Sequence, residues 1–218
     1  MQAVAAIAAR PLPGLALRSP ALVGTTRTLA KDEELFADGD DADCFYRMIS
    51  GAVRSYKLLS DGRRQIDAFH LPGDFLGLEA GPSHRFSAEA VCATQVVAFR
   101  RSRLSALAQQ DPLFREEVMA SMLTNLERAQ DHMLLLGRKT AQEKMASFLL
   151  GMAGRLSDDE ESFDLPMPRA DIADHLGLTI ETVSRTLSQF ARDGLIGLPA
   201  ASRSVVLRNR TALRTLDG

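Results

Sequence analysis

One stretch near the C-terminus decides the fold: Ala170-Asp-Ile-Ala-Asp-His-Leu-Gly-Leu-Thr-Ile-Glu-Thr-Val-Ser-Arg185. Its first half predicts a short helix with Ile172 and Leu176 on one face, followed by Gly177 where a helix needs a left-handed C-cap. Thr179 has the chemistry of an N-cap for a second helix. The spacing of 3, 4 and 3 predicts that the buried stripe of this second helix consists of Ile180, Val183, Leu187 and Phe190. Two helices joined by so short a turn indicate a helix-turn-helix.

The other face of the second helix is polar and suits the major groove of DNA. Arg185 can donate two hydrogen bonds to guanine O6 and N7, and Glu181 can accept one from cytosine N4. Ser184 can contact a neighbouring base or a phosphate, so these three residues are the predicted base-contacting set. Residues expected to contact the DNA backbone or to support that set are Thr179, Thr182, Ser188, Gln189 and Arg203. The alternative is an ordinary surface ion pair between Glu181 and Arg185, which lie four residues apart.

The segments around this stretch predict a winged helix-turn-helix domain over residues 138–218. The pattern indicates a helix over Thr140–Arg155, two more within Arg169–Gly194, and two short strands within Leu195–Leu207. The acidic run Asp158–Glu161 is interpreted as a solvated turn.

Residues 24–110 are predicted to form a small β-roll. Glycines at positions 39, 51, 62 and 73 recur every eleven or twelve residues and separate short β-type runs. These runs are Cys44–Ile49, Ala52–Leu59, Gln65–His70, Phe86–Cys92 and Gln95–Phe99.

A helix from Pro112 to about Leu136 is predicted to mediate dimerisation, within a segment of residues 111–137. Its apolar positions follow an a/d heptad spacing, which suits a partner helix. They are Met119, Met122, Leu126, Ala129, Met133 and Leu136. The alternative is that the helix packs on its own β domain. Gly137 is interpreted as a hinge after the helix.

Charge, cysteine content and hydropathy argue against a disulfide-rich protein and against a membrane-spanning protein. The formal charge of −2 means that any nucleic-acid contact must come from a local patch. Cys44 and Cys92 are the only cysteines, which suits a reducing cytoplasm and gives no disulfide framework. Residues 1–23 are expected to be a flexible tail, and no segment has the roughly 20 apolar residues of a membrane span.

The helix-turn-helix stretch, together with Leu58-Leu-Ser-Asp-Gly-Arg-Arg64 and His70-Leu-Pro-Gly-Asp74, resembles the cyclic-AMP receptor protein and FNR (CRP/FNR) superfamily, in its FixK-type branch. The resemblance implies an α+β fold: an N-terminal double-stranded β-roll like a cyclic-nucleotide-binding domain, a long dimerisation helix and a C-terminal winged helix-turn-helix. It also implies a homodimeric activator that acts with RNA polymerase. The implied DNA site is a TTGAT-N4-ATCAA-like palindrome, and the implied targets are genes of low-oxygen respiration and nitrogen fixation.

The ligands of that superfamily are not expected here. Its cyclic-nucleotide motifs are altered to Gly77-Leu-Glu79 and Phe86-Ser-Ala88, so Phe86 replaces the arginine that pairs with the phosphate. Two cysteines cannot supply a four-thiolate iron–sulfur cluster within one subunit. We therefore expect no cofactor and activity without a small effector. The alternative is control by a β-roll ligand or by oxidation of Cys44 or Cys92.

An enzyme is the rival from another class, because β-roll folds also house metal-dependent, cupin-like enzymes. Such a site needs clustered His and carboxylate ligands, whereas His70, His84, His132 and His175 are scattered along the chain. We expect neither catalytic residues nor a metal site.

Overall fold

The structure is a computed structural model that describes residues 24–199 and 203–218. The expected flexible tail over residues 1–23 lies outside the described residues. The chain divides into two compact units, Met1–Glu127 and Arg128–Gly218. The division falls inside a long helix, so that helix contributes residues to both units.

The first unit contains two four-stranded antiparallel sheets, as predicted for a β-roll. Their strands are β1 (Thr25–Leu29), β2 (Glu34–Phe36), β3 (Cys44–Ser50), β4 (Val53–Leu58), β5 (Arg64–His70), β6 (Phe75–Leu76), β7 (Ser87–Ala90) and β8 (Thr94–Arg100). One sheet has the order β1-β8-β3-β6 and the other has the order β2-β7-β4-β5. The run predicted over Phe86–Cys92 pairs only as β7, so Phe86 precedes the strand.

Apolar side chains from both sheets form one buried cluster. Phe36 and Tyr46 stack at a centroid distance of 5.7 Å within it. Its other members include Leu29, Leu35, Met48, Val53, Leu76, Ala88, Ala90 and Val96. Burial of this much apolar surface is the main force that holds the two sheets together.

A second, aromatic cluster attaches the start of a long helix to the first sheet. A 3-10 turn (Arg101–Arg103) and helix α1 (Leu104–Gln110) lead into helix α2 (Pro112–Arg138). The Asp111 carboxylate accepts hydrogen bonds from the backbone N–H groups of Leu113 and Phe114 at 3.0 and 3.1 Å, which caps α2. Phe114 is buried and meets Phe75 edge-on at 6.0 Å. The cluster also contains Phe45, Val97, Phe99 and Val118.

An ion pair strengthens the same attachment. Arg47 of β3 is buried, and its guanidinium lies 3.3 Å from the Glu117 carboxylate of α2 and 5.4 Å from the centre of the Phe75 ring. The first turns of α2 therefore pack on their own β domain. The alternative prediction, that the helix packs on its own β domain, is therefore correct for the N-terminal end of α2.

The predicted seam occupies a different, exposed face of α2. Met119, Met122, Leu126 and Met133 are each about half or more exposed, and Ala129 is exposed too. Leu136 is half-buried instead, because it lies against the turn at Gly177. The helix also continues through Gly137 and ends at Arg138, one residue beyond the position interpreted as a hinge.

The second unit is a helical domain with a three-stranded sheet. Its elements are α3 (Ala141–Leu156), β9 (Ser162–Asp164), α4 (Arg169–Leu176), α5 (Ile180–Arg192), β10 (Ile196–Gly197), β11 (Ser204–Leu207) and α6 (Arg210–Asp217). The sheet order is β10-β11-β9, so the predicted hairpin gains β9 as a third strand. Helix α6 was not predicted.

Polar contacts hold α6 against the start of α3. Lys139 Nζ donates to the Asp217 carboxylate and to the Asp217 carbonyl, each at 2.6 Å, and to Ser147 Oγ at 2.9 Å. Partial burial raises the pKa of Asp217, but the hydrogen bonds from Lys139 and Ser147 outweigh it and lower the pKa below its ordinary value. The C-terminal helix is thus part of the folded domain.

The acidic run Asp158–Glu161 is more structured than a solvated turn. Glu160 forms an ion pair with Arg210 of α6. Asp159 accepts hydrogen bonds from Ser157 Oγ at 2.5 Å and from the Glu161 backbone at 2.9 Å. These contacts fix the turn between α3 and β9.

Candidate nucleic-acid interface

Helix α4, the first helix of the motif, is fixed at its C-terminal end by two side chains. His132 Nε2 lies 2.8 Å from the His175 carbonyl oxygen, and Lys144 Nζ donates to the Leu176 carbonyl at 3.0 Å. The imidazole rings of His132 and His175 stack at 4.1 Å. Carbonyl groups at the end of a helix lack partners within the helix, so these contacts satisfy them and orient α4.

The turn after α4 has the predicted left-handed geometry. Gly177 adopts φ 61° and ψ 43°, and its N–H bonds to the Ala173 carbonyl. A β-carbon here would lie 3.3 Å from Leu136 Cδ2, so both the backbone conformation and the space favour glycine. The turn therefore sets the angle at which the next helix leaves.

Helix α5 begins as predicted, with Thr179 Oγ1 accepting a hydrogen bond from the Thr182 backbone at 3.2 Å. Its buried stripe contains Val183, Leu187 and Phe190, but Ile180 is 48% exposed, so that part of the prediction is wrong. Ile180 is the first residue of α5. The buried face of α5 also includes Thr186, which was not predicted.

The three predicted base-contacting residues share the outer face of α5. Glu181 and Arg185 are exposed and Ser184 is half-buried. Across residues 24–199 and 203–218, no ion pair joins Glu181 to Arg185, and no hydrogen bond engages the Glu181 carboxylate. Arg185 Nη2 instead approaches Thr182 Oγ1 at 3.4 Å, a long contact. Both charged groups are therefore available to a ligand.

Sequence reasoning missed Arg169, which belongs to the same surface. It is the exposed first residue of α4, and its Nη1 donates to Ser184 Oγ at 3.2 Å. The contact orients the Ser184 hydroxyl and adds the guanidinium of Arg169 to the polar surface formed by Glu181, Ser184 and Arg185. A basic residue beside a helix-turn-helix was the available signal.

The predicted supporting residues are mostly engaged within the protein. Ser188 Oγ donates to the Ser184 carbonyl at 2.9 Å, and the Gln189 amide donates to the Asp193 carboxylate at 2.8 Å. Arg203 Nη1 donates to the Pro166 carbonyl at 2.7 Å. Such contacts position the helix and the base of the wing, and they leave less bonding capacity for DNA.

In the β-roll, Phe86 is the residue expected from the sequence to stand in place of the superfamily's phosphate-pairing arginine. The Lys57 ammonium lies 6.0 Å from the centre of the Phe86 ring, and it also donates to Asp38 at 2.8 Å and to the Arg85 carbonyl at 2.9 Å. Lys57 is thus committed to protein partners. Cys44 and Cys92 are free and half-buried.

Two further features concern metal ligands and membrane-spanning helices in the part of the chain that the structure describes. Among these residues, no group of three or more His, Cys, Asp or Glu side chains could hold a metal ion. None of the helices that the structure describes is long and apolar enough to cross a membrane.

A winged helix-turn-helix with an exposed polar recognition helix, joined to a β-roll, defines a DNA-binding transcription regulator. Comparison with known proteins supports this class over the enzyme alternative. Residues 143–216 match the Crp-like helix-turn-helix domain, and residues 26–111 match the cyclic nucleotide-binding domain. The chain belongs to the CRP/FNR family of transcription regulators, in its FixK branch.

Individual relatives place it in that branch. The nitrogen fixation regulation protein FixK of Azorhizobium caulinodans is 51% identical over 201 residues, which are 90% of this chain and 81% of that protein. FixK of Rhizobium meliloti is 42% identical over 200 residues, with coverages of 92% and 89%. The solved structure of FixK2 from Bradyrhizobium japonicum matches with a TM-score of 0.84 and 52% identity, covering 90% of this chain and 98% of that one.

Proposed function

We propose that the protein is a homodimeric transcription activator that binds a TTGAT-N4-ATCAA-like palindrome without a small-molecule effector. The observation that carries the proposal is the outer face of α5. It presents Glu181 and Arg185 side by side, and neither charge is neutralised by the other.

Base recognition follows from the chemistry of that face. The Arg185 guanidinium donates two parallel hydrogen bonds to the guanine of one TTGAT half-site, and the Glu181 carboxylate accepts from the N4 amine of the cytosine that pairs with this guanine. Ser184 contacts a neighbouring base. Thr179 and Thr182, whose hydroxyls lie at the N-terminus of α5, approach the phosphate backbone together with Arg169.

Dimerisation follows from the exposed apolar face of α2. Large apolar side chains exposed at regular spacing mark an interface rather than an ordinary surface. Besides the predicted seam, Leu123 and Leu134 are 57% and 61% exposed, which widens the apolar face. A second copy of the chain packed along α2 would cover this face. It would also present two recognition helices to half-sites about 34 Å apart.

Effector independence is supported by the interior of the β-roll. The space between the two sheets holds Phe36, Tyr46, Met48 and Leu76, all of which are buried. Phe86 cannot make the charge-assisted hydrogen bonds that an arginine makes to phosphate. Cyclic nucleotide therefore has no counterpart for its charged group at this position.

The cellular role is proposed by analogy with the relatives, whose names assign them to nitrogen fixation regulation. We place the protein in the cytoplasm, where it would activate genes of nitrogen fixation and low-oxygen respiration through contact with RNA polymerase. Its activity would then follow its abundance.

Transcription in vitro tests the activator role. The reaction contains purified protein, RNA polymerase and a promoter that carries the palindrome. Nucleotide substrates are the only small organic molecules added. We expect the transcript to increase with protein concentration and to fall to the basal amount with Arg185→Ala. Transcript that stays at the basal amount with wild-type protein bound to the promoter would contradict activation without an effector.

A further inference from the structure

A cavity of about 570 Å³ lies on the first unit, and its lining includes neither Phe86 nor any residue of α2. Three of its lining residues are arginines, namely Arg100, Arg101 and Arg103, and one is acidic, Asp43. The lining is therefore strongly positive in a chain whose formal charge is −2.

The three arginines differ in how far the protein uses them. Arg101 is committed, because its guanidinium donates to the carbonyls of Ala80, at 3.3 Å, and of Gly81. Arg100 lies 3.7 Å from the Asp43 carboxylate, and both side chains are more than two-thirds exposed, so this pair contributes little stability. Within the part of the chain that the structure describes, Arg103 has neither an ion pair nor a side-chain hydrogen bond.

We propose that this cavity binds a small anion with two adjacent phosphoryl groups, such as a diphosphate. The planar guanidinium of arginine matches phosphate oxygens with two parallel hydrogen bonds, and two guanidinium groups, from Arg100 and Arg103, can each engage one phosphoryl group. The volume lies within the roughly 300–1,000 Å³ of small-molecule sites.

The fixed Arg101 gives the site a rigid wall. Its bonds to Ala80 and Gly81 hold the loop that carries Pro82, another lining residue, against the 3-10 turn. A bound diphosphate would add contacts between that loop and the turn. A ligand that binds the folded state but not the unfolded state stabilises the folded state. The diphosphate would therefore also raise the unfolding temperature of the β-roll.

Isothermal titration calorimetry with inorganic pyrophosphate tests the proposal, using the full-length protein without DNA and at constant ionic strength. The pocket variant Arg100→Ala/Arg103→Ala removes two exposed side chains and should fold normally, which its thermal melt would check. The control variant Arg169→Ala/Arg185→Ala removes two arginines from the DNA-binding face instead. It distinguishes the cavity from the other place where phosphate could bind.

We expect saturable binding of one pyrophosphate per chain, weakened at least about tenfold in the pocket variant and unchanged in the control variant. Equal binding by wild type and the pocket variant, or a loss confined to the control variant, would overturn the proposal. Absence of pyrophosphate binding by the wild-type protein would also overturn it. If the pocket variant then impaired transcription activation, the arginines would be contacts for an acidic protein surface instead.

Discussion

The recognition helix and the region around Phe86 in the β-roll differ in how far their charged side chains are engaged within the protein. On the recognition helix, Glu181 and Arg185 are exposed and not paired with each other. In the β-roll, Phe86 precedes β7 where a phosphate-binding arginine is expected, and Lys57 beside it is bonded to Asp38. The recognition helix keeps its charged groups available, whereas the lysine beside Phe86 is engaged by protein partners.

This contrast teaches that the presence of a fold does not by itself show that each of its sites is functional. The β-roll keeps its two sheets and its apolar interior because these determine its stability. Function must therefore be argued from the residues of each site and not from the fold.

The largest expected effect separates dimerisation from base recognition. Leu126→Glu places a charge on the exposed seam of α2, and we expect monomers in analytical ultracentrifugation. Binding to the palindrome should weaken roughly 10²–10⁴-fold, because two half-sites no longer act together. The preferred base at each position should stay the same. Leu58→Glu, at an equally exposed leucine outside α2, is the control and should remain dimeric. Dimers of Leu126→Glu would refute the assigned interface.

Arg185→Ala should have the next largest effect, and it acts on specificity. We expect a loss of about 1–3 kcal/mol on the palindrome and weaker discrimination at the guanine position, measured by anisotropy with single-base variants. Arg192→Ala removes an exposed arginine from the last turn of the same helix, where it bonds Gln189. If both variants lose affinity equally for all sequences, Arg185 is a phosphate contact only.

Gly177→Ala should destabilise the DNA-binding half by about 1–2 kcal/mol, because alanine is strained at φ 61°. The β-carbon would also press on Leu136. Gly151→Ala is the matched control, since it lies inside α3 with open space around its β-carbon, and it should stabilise that half by about 0.5–1 kcal/mol. Thermal melts of the two variants that shift in the same direction would contradict the assigned turn.

Cyclic AMP should have the smallest effect. We expect saturating cyclic AMP to change the affinity for the palindrome by less than about twofold, well below the 5–150-fold typical of an allosteric effector. A stronger response would show that the β-roll retains a functional site despite Phe86, and the contrast between the two regions would fail.

The sequence predicted the parts of the fold that depend on local signals. Gly177, the Thr179 cap and the stripe of Val183, Leu187 and Phe190 follow from spacing and side-chain chemistry alone. The packing of the first turns of α2 was harder to predict than its start at Pro112. Phe114 packs on phenylalanines from three different strands, and no periodicity within α2 reveals partners so distant in sequence.

The site followed the same rule. Exposure of Glu181 and Arg185 was predictable from helical periodicity. The contact between Arg169 and Ser184 was not, because it depends on the angle between α4 and α5. The prediction that Ile180 is buried failed for a related reason. Ile180 lies in the first turn of α5, outside the core that buries Val183, Leu187 and Phe190.

The central claim is sequence-specific DNA binding without an effector, and a fluorescence-anisotropy titration tests it most directly. Ligand-free protein is titrated against a TTGAT-N4-ATCAA duplex and a scrambled duplex at the same salt concentration. We expect a preference of at least about 10³-fold for the palindrome, as for specific regulators. Equally weak binding to both duplexes would contradict the claim.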